Sequence, residues 1–310
     1  MKCSGLTGRR KRKMISLIFR VLLDAAIIVF LLTVLCCWRA LRPGRMPVSL
    51  RPKDLGLPGE EIQLLTEDGK RLAGWFIPAE KPAGVVVCLH GYPANKSDIL
   101  LEVSFLYPHF SLLLFDFRGH GESGGRITYF GLKETADVRA ALNYLQKDKR
   151  SQSLPVAVWG YSLGAAVAIL TAARDRRIKA VVSDSAFASF PEMVGHYYRS
   201  LGPLKYLLAP LSRLLGRIFL KADFDENSPE RVIGQLHCPV LIIHSREDEY
   251  VPAEHALRLY RQAPEPKALY WKSGSHAGLR AEAGSYQAKV LSFLKETLGK
   301  NKGGEDSDRS

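Results

Sequence analysis

Val156-Ala157-Val158-Trp159-Gly160-Tyr161-Ser162-Leu163-Gly164 is the stretch on which the reading of this chain turns. Pro155 introduces four apolar residues, the pattern of a buried parallel strand. Behind the serine, Ala165 to Ala173 is rich in helix formers and apolar enough to lie under a sheet. Strand, glycine-bracketed turn and helix make a sharp bend on which the Ser162 hydroxyl stands clear of the backbone. The plain alternative is a glycine turn with an incidental serine. What decides is whether the rest of the chain supplies the partners a reacting serine needs.

A serine hydroxyl is a poor nucleophile near neutral pH. It needs a base to take its proton, and the base needs a carboxylate to fix its tautomer and stabilise its charged form. Of the eight histidines, His276 lies in Gly274-Ser275-His276-Ala277-Gly278, after the strand-like Ala268–Trp271 and before a last helix over about 284–298. The apolar run Pro239–Ile243 reads as another buried strand and leads into His244-Ser245-Arg246-Glu247-Asp248-Glu249-Tyr250. Asp248 is the candidate acid, with Glu247 and Glu249 read as solvated neighbours. The strand Gly84–Leu89 ends in His90-Gly91-Tyr92, so the backbone N–H groups of Tyr92 and Leu163 are the natural donors to an oxyanion. His90 reads as a buried structural imidazole. His109, His120, His196, His237, His244 and His255 have no comparable placement, and no grouping of histidines and carboxylates has metal-ligand spacing. No metal or cofactor is expected.

His90-Gly91-Tyr92, DFRGHGESGG at 116–125, GYSLG at 160–164, HSREDEYVP at 244–252 and GSHAG at 274–278 together resemble the α/β-hydrolase set. The order Ser162, Asp248, His276 is that of the same superfamily. The resemblance runs from about Glu60 to Leu298. It is strongest to the membrane-anchored serine hydrolases of the α/β-hydrolase-domain group, which include lysophospholipases, acylglycerol lipases and protein depalmitoylases. It implies cleavage of an ester or thioester of a lipid-like acyl substrate through an acyl-enzyme on Ser162. Ser245 departs from the pattern, since relatives usually carry Gly there. Asp116, Arg118, His120 and Glu122 suggest a second charged site, but in the family that loop is mainly architectural. A serine peptidase of the same fold is the enzymatic alternative, and a non-catalytic α/β-hydrolase binding scaffold is the alternative from another class.

Strand-like segments recur at the spacing of a doubly wound sheet: 61–66, 71–77, 84–89, 111–117, 155–159, 178–183, 239–243 and 268–271. Asp68-Gly69 marks a hairpin between the first two, so the sheet opens antiparallel. Helical stretches at 96–107, 132–146, 165–174, 254–262 and 284–298 alternate with the later strands. The expectation is an α/β-hydrolase fold with an eight-stranded, mostly parallel sheet, helices on both faces and a small helical cap at about 186–236. Domain limits follow: a basic segment 1–14, a transmembrane anchor 15–38, a linker 39–59, the hydrolase domain 60–298 and a disordered tail 299–310.

Residues 1–60 hold 12 Lys and Arg against 3 Asp and Glu, so most of the formal charge of +13 lies there. These cations flank the apolar stretch Met14–Trp38, which is broken only by Arg20 and Asp24. That is a membrane-topology signal rather than a nucleic-acid footprint, and no nucleic-acid partner is expected. Trp38 and Arg39 form an interfacial stop, and no small-x-small cleavage site follows, which favours an uncleaved anchor over a signal peptide. More cations precede the span than follow it closely. This puts the N-terminus in the cytoplasm and the hydrolase domain in a periplasmic, extracellular or lumenal space. Five cysteines make no disulfide framework. The cap segment Tyr197–Lys221 mixes leucines and aromatics with five cations, either as ordinary cap helices or as an acyl-binding lid that touches a membrane. No oligomeric state is read from the chain.

Overall fold

The computed structural model describes residues 4–221, 228–276 and 283–299. Eight strands form one sheet: β1 (Glu60–Leu65), β2 (Arg71–Ile77), β3 (Val85–Leu89), β4 (Ser111–Phe115), β5 (Val156–Tyr161), β6 (Ile178–Asp184), β7 (Val240–Ser245) and β8 (Lys267–Lys272). Their order is β1-β2-β4-β3-β5-β6-β7-β8. β1 and β2 pair antiparallel, as do β2 and β4, and every later pairing is parallel. The hairpin signal at Asp68-Gly69 thus sets the antiparallel start, and the crossovers do the rest.

The helices are α1 (Ser4–Leu41), α2 (Lys96–Val103), α3 (Glu134–Lys147), α4 (Leu163–Ala172), α5 (Phe190–Tyr197), α6 (Lys205–Leu220), α7 (Pro229–Val232), α8 (Glu254–Gln262) and α9 (Ala283–Gly299). Alternation along each strand divides the core in two. Val85, Val87 and Leu89 face the side covered by α3, α4 and α8. Val86 and Cys88 face the side covered by α2 and α9. Both faces of β3 are therefore apolar and fully buried, which is why its sequence runs without polar interruption.

Contacts divide the chain into two compact units, one within Met1–Ala40 and Val194–Ala222, the other within Leu41–Met193 and Asp223–Ser310. The larger unit carries the sheet. Its first residues belong to the stretch read as a linker, and they are fastened to it. Arg45 donates to the carbonyls of Gly121 and Gly125 at 2.8 and 2.9 Å. The Asn95 amide donates to the carbonyls of Met46 and Pro47, and the Ser97 hydroxyl accepts from the N–H groups of Ser49 and Leu50. Val48, Leu50, Leu55 and Leu57 pack on the α2–α9 core. A polar, proline-bearing segment gives no such signal by itself, because all these partners lie far along the chain.

In the smaller unit, α1 is one continuous helix, so the basic segment is helical from Ser4 and runs into the apolar stretch. Arg9–Leu41 is long and apolar enough to cross a membrane by length and composition. Of the insertion between β6 and β7, residues 222–227 lie outside the described residues. So do Ala277 and Gly278 of the glycine-bracketed histidine motif, and the tail beyond Gly299.

Candidate active site

Ser162 sits between the end of β5 and the start of α4 with φ 53° and ψ −114°, a left-handed conformation that few side-chain-bearing residues adopt. Such strain costs on the order of 1–3 kcal/mol and persists only where the surroundings fix it. They do so here. The Ser162 N–H donates to the Asp184 carbonyl at 2.8 Å, and the Ser162 carbonyl accepts from Ala165 and Ala166 as α4 begins. A Cβ on Gly160 would collide with the Gly164 backbone, and one on Gly164 with the carbonyl oxygen of Leu89. The two glycines are thus required by close approach of β5, α4 and the end of β3.

His276 reaches Ser162 from the loop after β8. Its Nε2 lies 3.0 Å from Ser162 Oγ, and its Nδ1 lies 2.6 Å from Asp248 Oδ2. The other oxygen, Asp248 Oδ1, accepts from the N–H groups of Tyr250 and Val251 at 2.9 and 2.7 Å. Burial opposes ionisation of Asp248. Hydrogen bonds from His276 and from the Val251 N–H outweigh it and hold the carboxyl below its usual value. With Nδ1–H donating to this carboxylate, Nε2 is left as an acceptor for the serine proton.

Glu247 and Glu249 are more than solvated neighbours. The Gly274 N–H donates to Glu247 at 3.2 Å and the His276 N–H to Glu249 at 3.3 Å. Both carboxylates therefore hold the histidine loop, while only Asp248 of the three meets the imidazole. Ser245 adds a third tie, accepting from the Glu247 N–H and donating to the Gly274 carbonyl. His244 stands behind the acid: its Nε2–H donates to the Val251 carbonyl at 2.8 Å and lies 3.6 Å from Asp248 Oδ2. Burial lowers its pKa, which keeps it neutral. Tyr161, next to the serine, donates its hydroxyl to the His276 carbonyl, and burial raises its pKa so that it remains a donor. Beneath it, Lys272 and Asp184 form a buried ion pair at 2.6 Å, with the ammonium 5.4 Å from the Tyr161 ring centroid.

The candidate oxyanion donors come from two elements. Leu163 opens α4, so its N–H has no acceptor inside the helix. Tyr92 follows Gly91, where an added Cβ would stand 3.2 Å from Ser162 Cβ, so this turn lies against the serine. His90 is occupied at both nitrogens: Nδ1–H donates to the Gly91 carbonyl and Nε2 accepts from the Phe117 N–H. It is fully buried, with a pKa lowered by burial, and braces the turn as a neutral imidazole. The 116–125 loop is likewise tied up. Lys96 pairs with Asp116 and Glu122 at 2.7 Å each, and Arg118 with Asp137 and Asp68. His196 belongs to the smaller unit, His109 and His237 make no hydrogen bond to the serine among the described residues, and His255 instead accepts from the Ala188 N–H. No group of three metal-ligating side chains occurs among the described residues.

The family model for the α/β hydrolase fold matches residues 84–201, from β3 through the serine turn into the cap. The chain is 31% identical to the uncharacterized protein YfhR of Escherichia coli over 252 residues, covering 77% of this chain and 81% of YfhR. The chain belongs to the α/β-hydrolase family. It is also 27% identical over 232 residues to the yeast uncharacterized membrane protein YNL320W, covering 73% of this chain and 76% of that protein. Among solved structures, the Pyrococcus furiosus esterase Pf2001 superposes with a TM-score of 0.71 at 25% identity, covering 84% of this chain and 99% of the esterase. This α/β-hydrolase thus resembles an esterase in fold, and it is a hydrolase of that fold.

Proposed function

We propose that the protein is a membrane-anchored serine hydrolase that cleaves carboxylic esters or thioesters of lipid-like acyl substrates through an acyl-enzyme on Ser162. The observation that carries this reading is the hydrogen-bonded line Ser162–His276–Asp248, built on a strained turn and closed by Asp248 in a buried position. Ser162 Oγ attacks the acyl carbonyl carbon as its proton passes to His276 Nε2, and Asp248 stabilises the imidazolium so formed. The carbonyl oxygen becomes an oxyanion facing the N–H groups of Tyr92 and Leu163. Collapse breaks the bond to the leaving group, which takes the proton from His276. Water then adds to the acyl-enzyme, giving its proton to His276, and the second collapse returns that proton to Ser162 Oγ and frees the acid.

The lipid character of the substrate rests on the anchor. Along α1, Ile15, Leu17, Phe19, Leu22, Ile28 and Leu31 are exposed, a surface that water does not tolerate over such a length and lipid does. The 24 residues of 15–38 would span about 36 Å at 1.5 Å per residue, enough for a bilayer core. The cations of 9–13 support a cytoplasmic N-terminus with the hydrolase domain on the opposite side. Reporters fused after Pro58 should be active only outside the cytoplasm.

The reading is tested by assaying the full chain in detergent on matched acyl esters, acyl thioesters and aminoacyl amides of increasing chain length. Turnover of esters or thioesters that rises with acyl length is expected. Preference for the aminoacyl amides would make the protein a peptidase and overturn the assignment of substrate.

A further inference from the structure

α6 has the sequence of a helix with two very different sides. Leu208, Ser212 and Leu215 are buried, and Ala209 and Gly216 beside them are half-buried. The opposite side carries Leu207, Leu214 and Ile218 at 57, 52 and 58% exposure, with Tyr206 at 72%, and Phe219 at the C-terminal end of the helix is 73% exposed. Positions 207, 214 and 218 recur at helical spacing, so their side chains form one outward stripe. A helix whose outer face meets water is expected to carry polar residues there. This one carries a row of large apolar groups beside Arg213 and Arg217.

The neighbouring element says what covers that stripe. Val29, Leu32, Thr33, Cys36, Cys37 and Ala40 are the shielded positions of α1 between residues 23 and 40, and their 3–4 spacing puts them on one face. α1 up to Ala40 and residues 194–222 fall in one compact unit, where Cys37 lies near Ser212 and Tyr198, whose hydroxyls are 2.8 Å apart. Small residues at such a face, with Ser212 near Cys37, allow the close backbone approach typical of helix pairs in a bilayer. α6 therefore adjoins the last turns of α1. Around it stand Trp38, Tyr197, Tyr206 and Phe219, all more than half exposed, the residue types that collect at a membrane–water interface. Between Tyr197 and Lys221 the chain has five cations (Arg199, Lys205, Arg213, Arg217 and Lys221) and no acidic residue.

We infer that α6 is an in-plane membrane helix, clasped to the anchor, whose outer stripe is seated in the headgroup region of an anionic phospholipid leaflet. This rests on α1 being the membrane span. The apolar stripe enters the acyl boundary while the cations meet lipid phosphates, the arrangement of an interfacial amphipathic helix. The smaller unit is then a two-part membrane module, with one helix crossing the bilayer and one lying on it.

The test is photolabelling of the full chain in phosphatidylglycerol–phosphatidylcholine vesicles that contain a phospholipid with a diazirine in its acyl chain, with adducts mapped by mass spectrometry. Adducts are expected on residues 15–38 and on the outer face of α6, at Leu207, Leu214 or Ile218. In phosphatidylcholine alone, the α6 adducts should fall several-fold relative to those on α1. Adducts on α1 without any on α6 would overturn the inference and leave the anchor standing. Adducts on neither would overturn both. Equal α6 labelling in the two lipids would refute the anionic preference.

Discussion

The Ser245 hydroxyl donates to the carbonyl of Gly274 and so joins the strand end that leads to Asp248 with the loop that carries His276. Ser245 also accepts from the Glu247 N–H, two residues along. Asp248 and His276 arrive from separate crossovers of the sheet, and this hydroxyl ties the two segments together.

Ser245→Ala should therefore reduce kcat with little change in KM. A lost neutral hydrogen bond corresponds to about 1 kcal/mol, or roughly a fivefold effect on rate. Steady-state kinetics on a short soluble ester would measure it. A change confined to KM would mean that Ser245 shapes the binding surface rather than the base loop.

Asp248→Asn should lower kcat by about 10³- to 10⁴-fold, because an amide cannot hold His276 in the tautomer that accepts the serine proton. The same variant has a signature in stability. The Asp248 pKa lies below its ordinary value of 3.8 in the folded protein. Its ionised form thus contributes stability that is present above pH 3.8 and lost as the pH falls through the lower folded value. Urea unfolding across the acid range should show a shallower decline for Asp248→Asn than for the parent chain. A parallel decline would contradict the depressed pKa.

Gly164→Ala should destabilise the chain by about 1–3 kcal/mol and remove activity together. Its methyl group would meet the backbone oxygens of Leu89, at the end of β3, and His90, in the turn after it, which cannot swing aside as a side chain could. Retention of full activity with normal thermal unfolding would mean that the turn is looser than its backbone contacts imply.

The eight strands were legible in the sequence because each is an apolar run bounded by turn residues, and a parallel sheet covered on both sides demands that. Their ends were less so. β5 continues to Tyr161 and β7 to Ser245, since pairing with β6 and β8 carries polar residues into the ladder. That Ser162, His276 and Asp248 meet could be expected, because a reacting serine requires those residue types after particular strands. The supports could not. Glu247 and Glu249 look like surface charges until their backbone partners on the β8 loop are known, and Lys272 meets Asp184 only through the fold. His244 did carry a usable signal, standing four residues before Asp248 at the end of a buried strand. Docking of residues 41–57 on the sheet-bearing unit had none, because it depends on Asn95, Ser97, Gly121 and Gly125.

The central claim is that Ser162 is a nucleophile activated by His276, and covalent labelling reads it directly. The full chain treated with a fluorophosphonate probe, digested and analysed by mass spectrometry should carry one adduct, on Ser162. Ser162→Ala should carry none, and His276→Ala should label orders of magnitude more slowly. A parent chain that resists the probe, or a Ser162→Ala variant that labels at the parent's rate, would contradict the account.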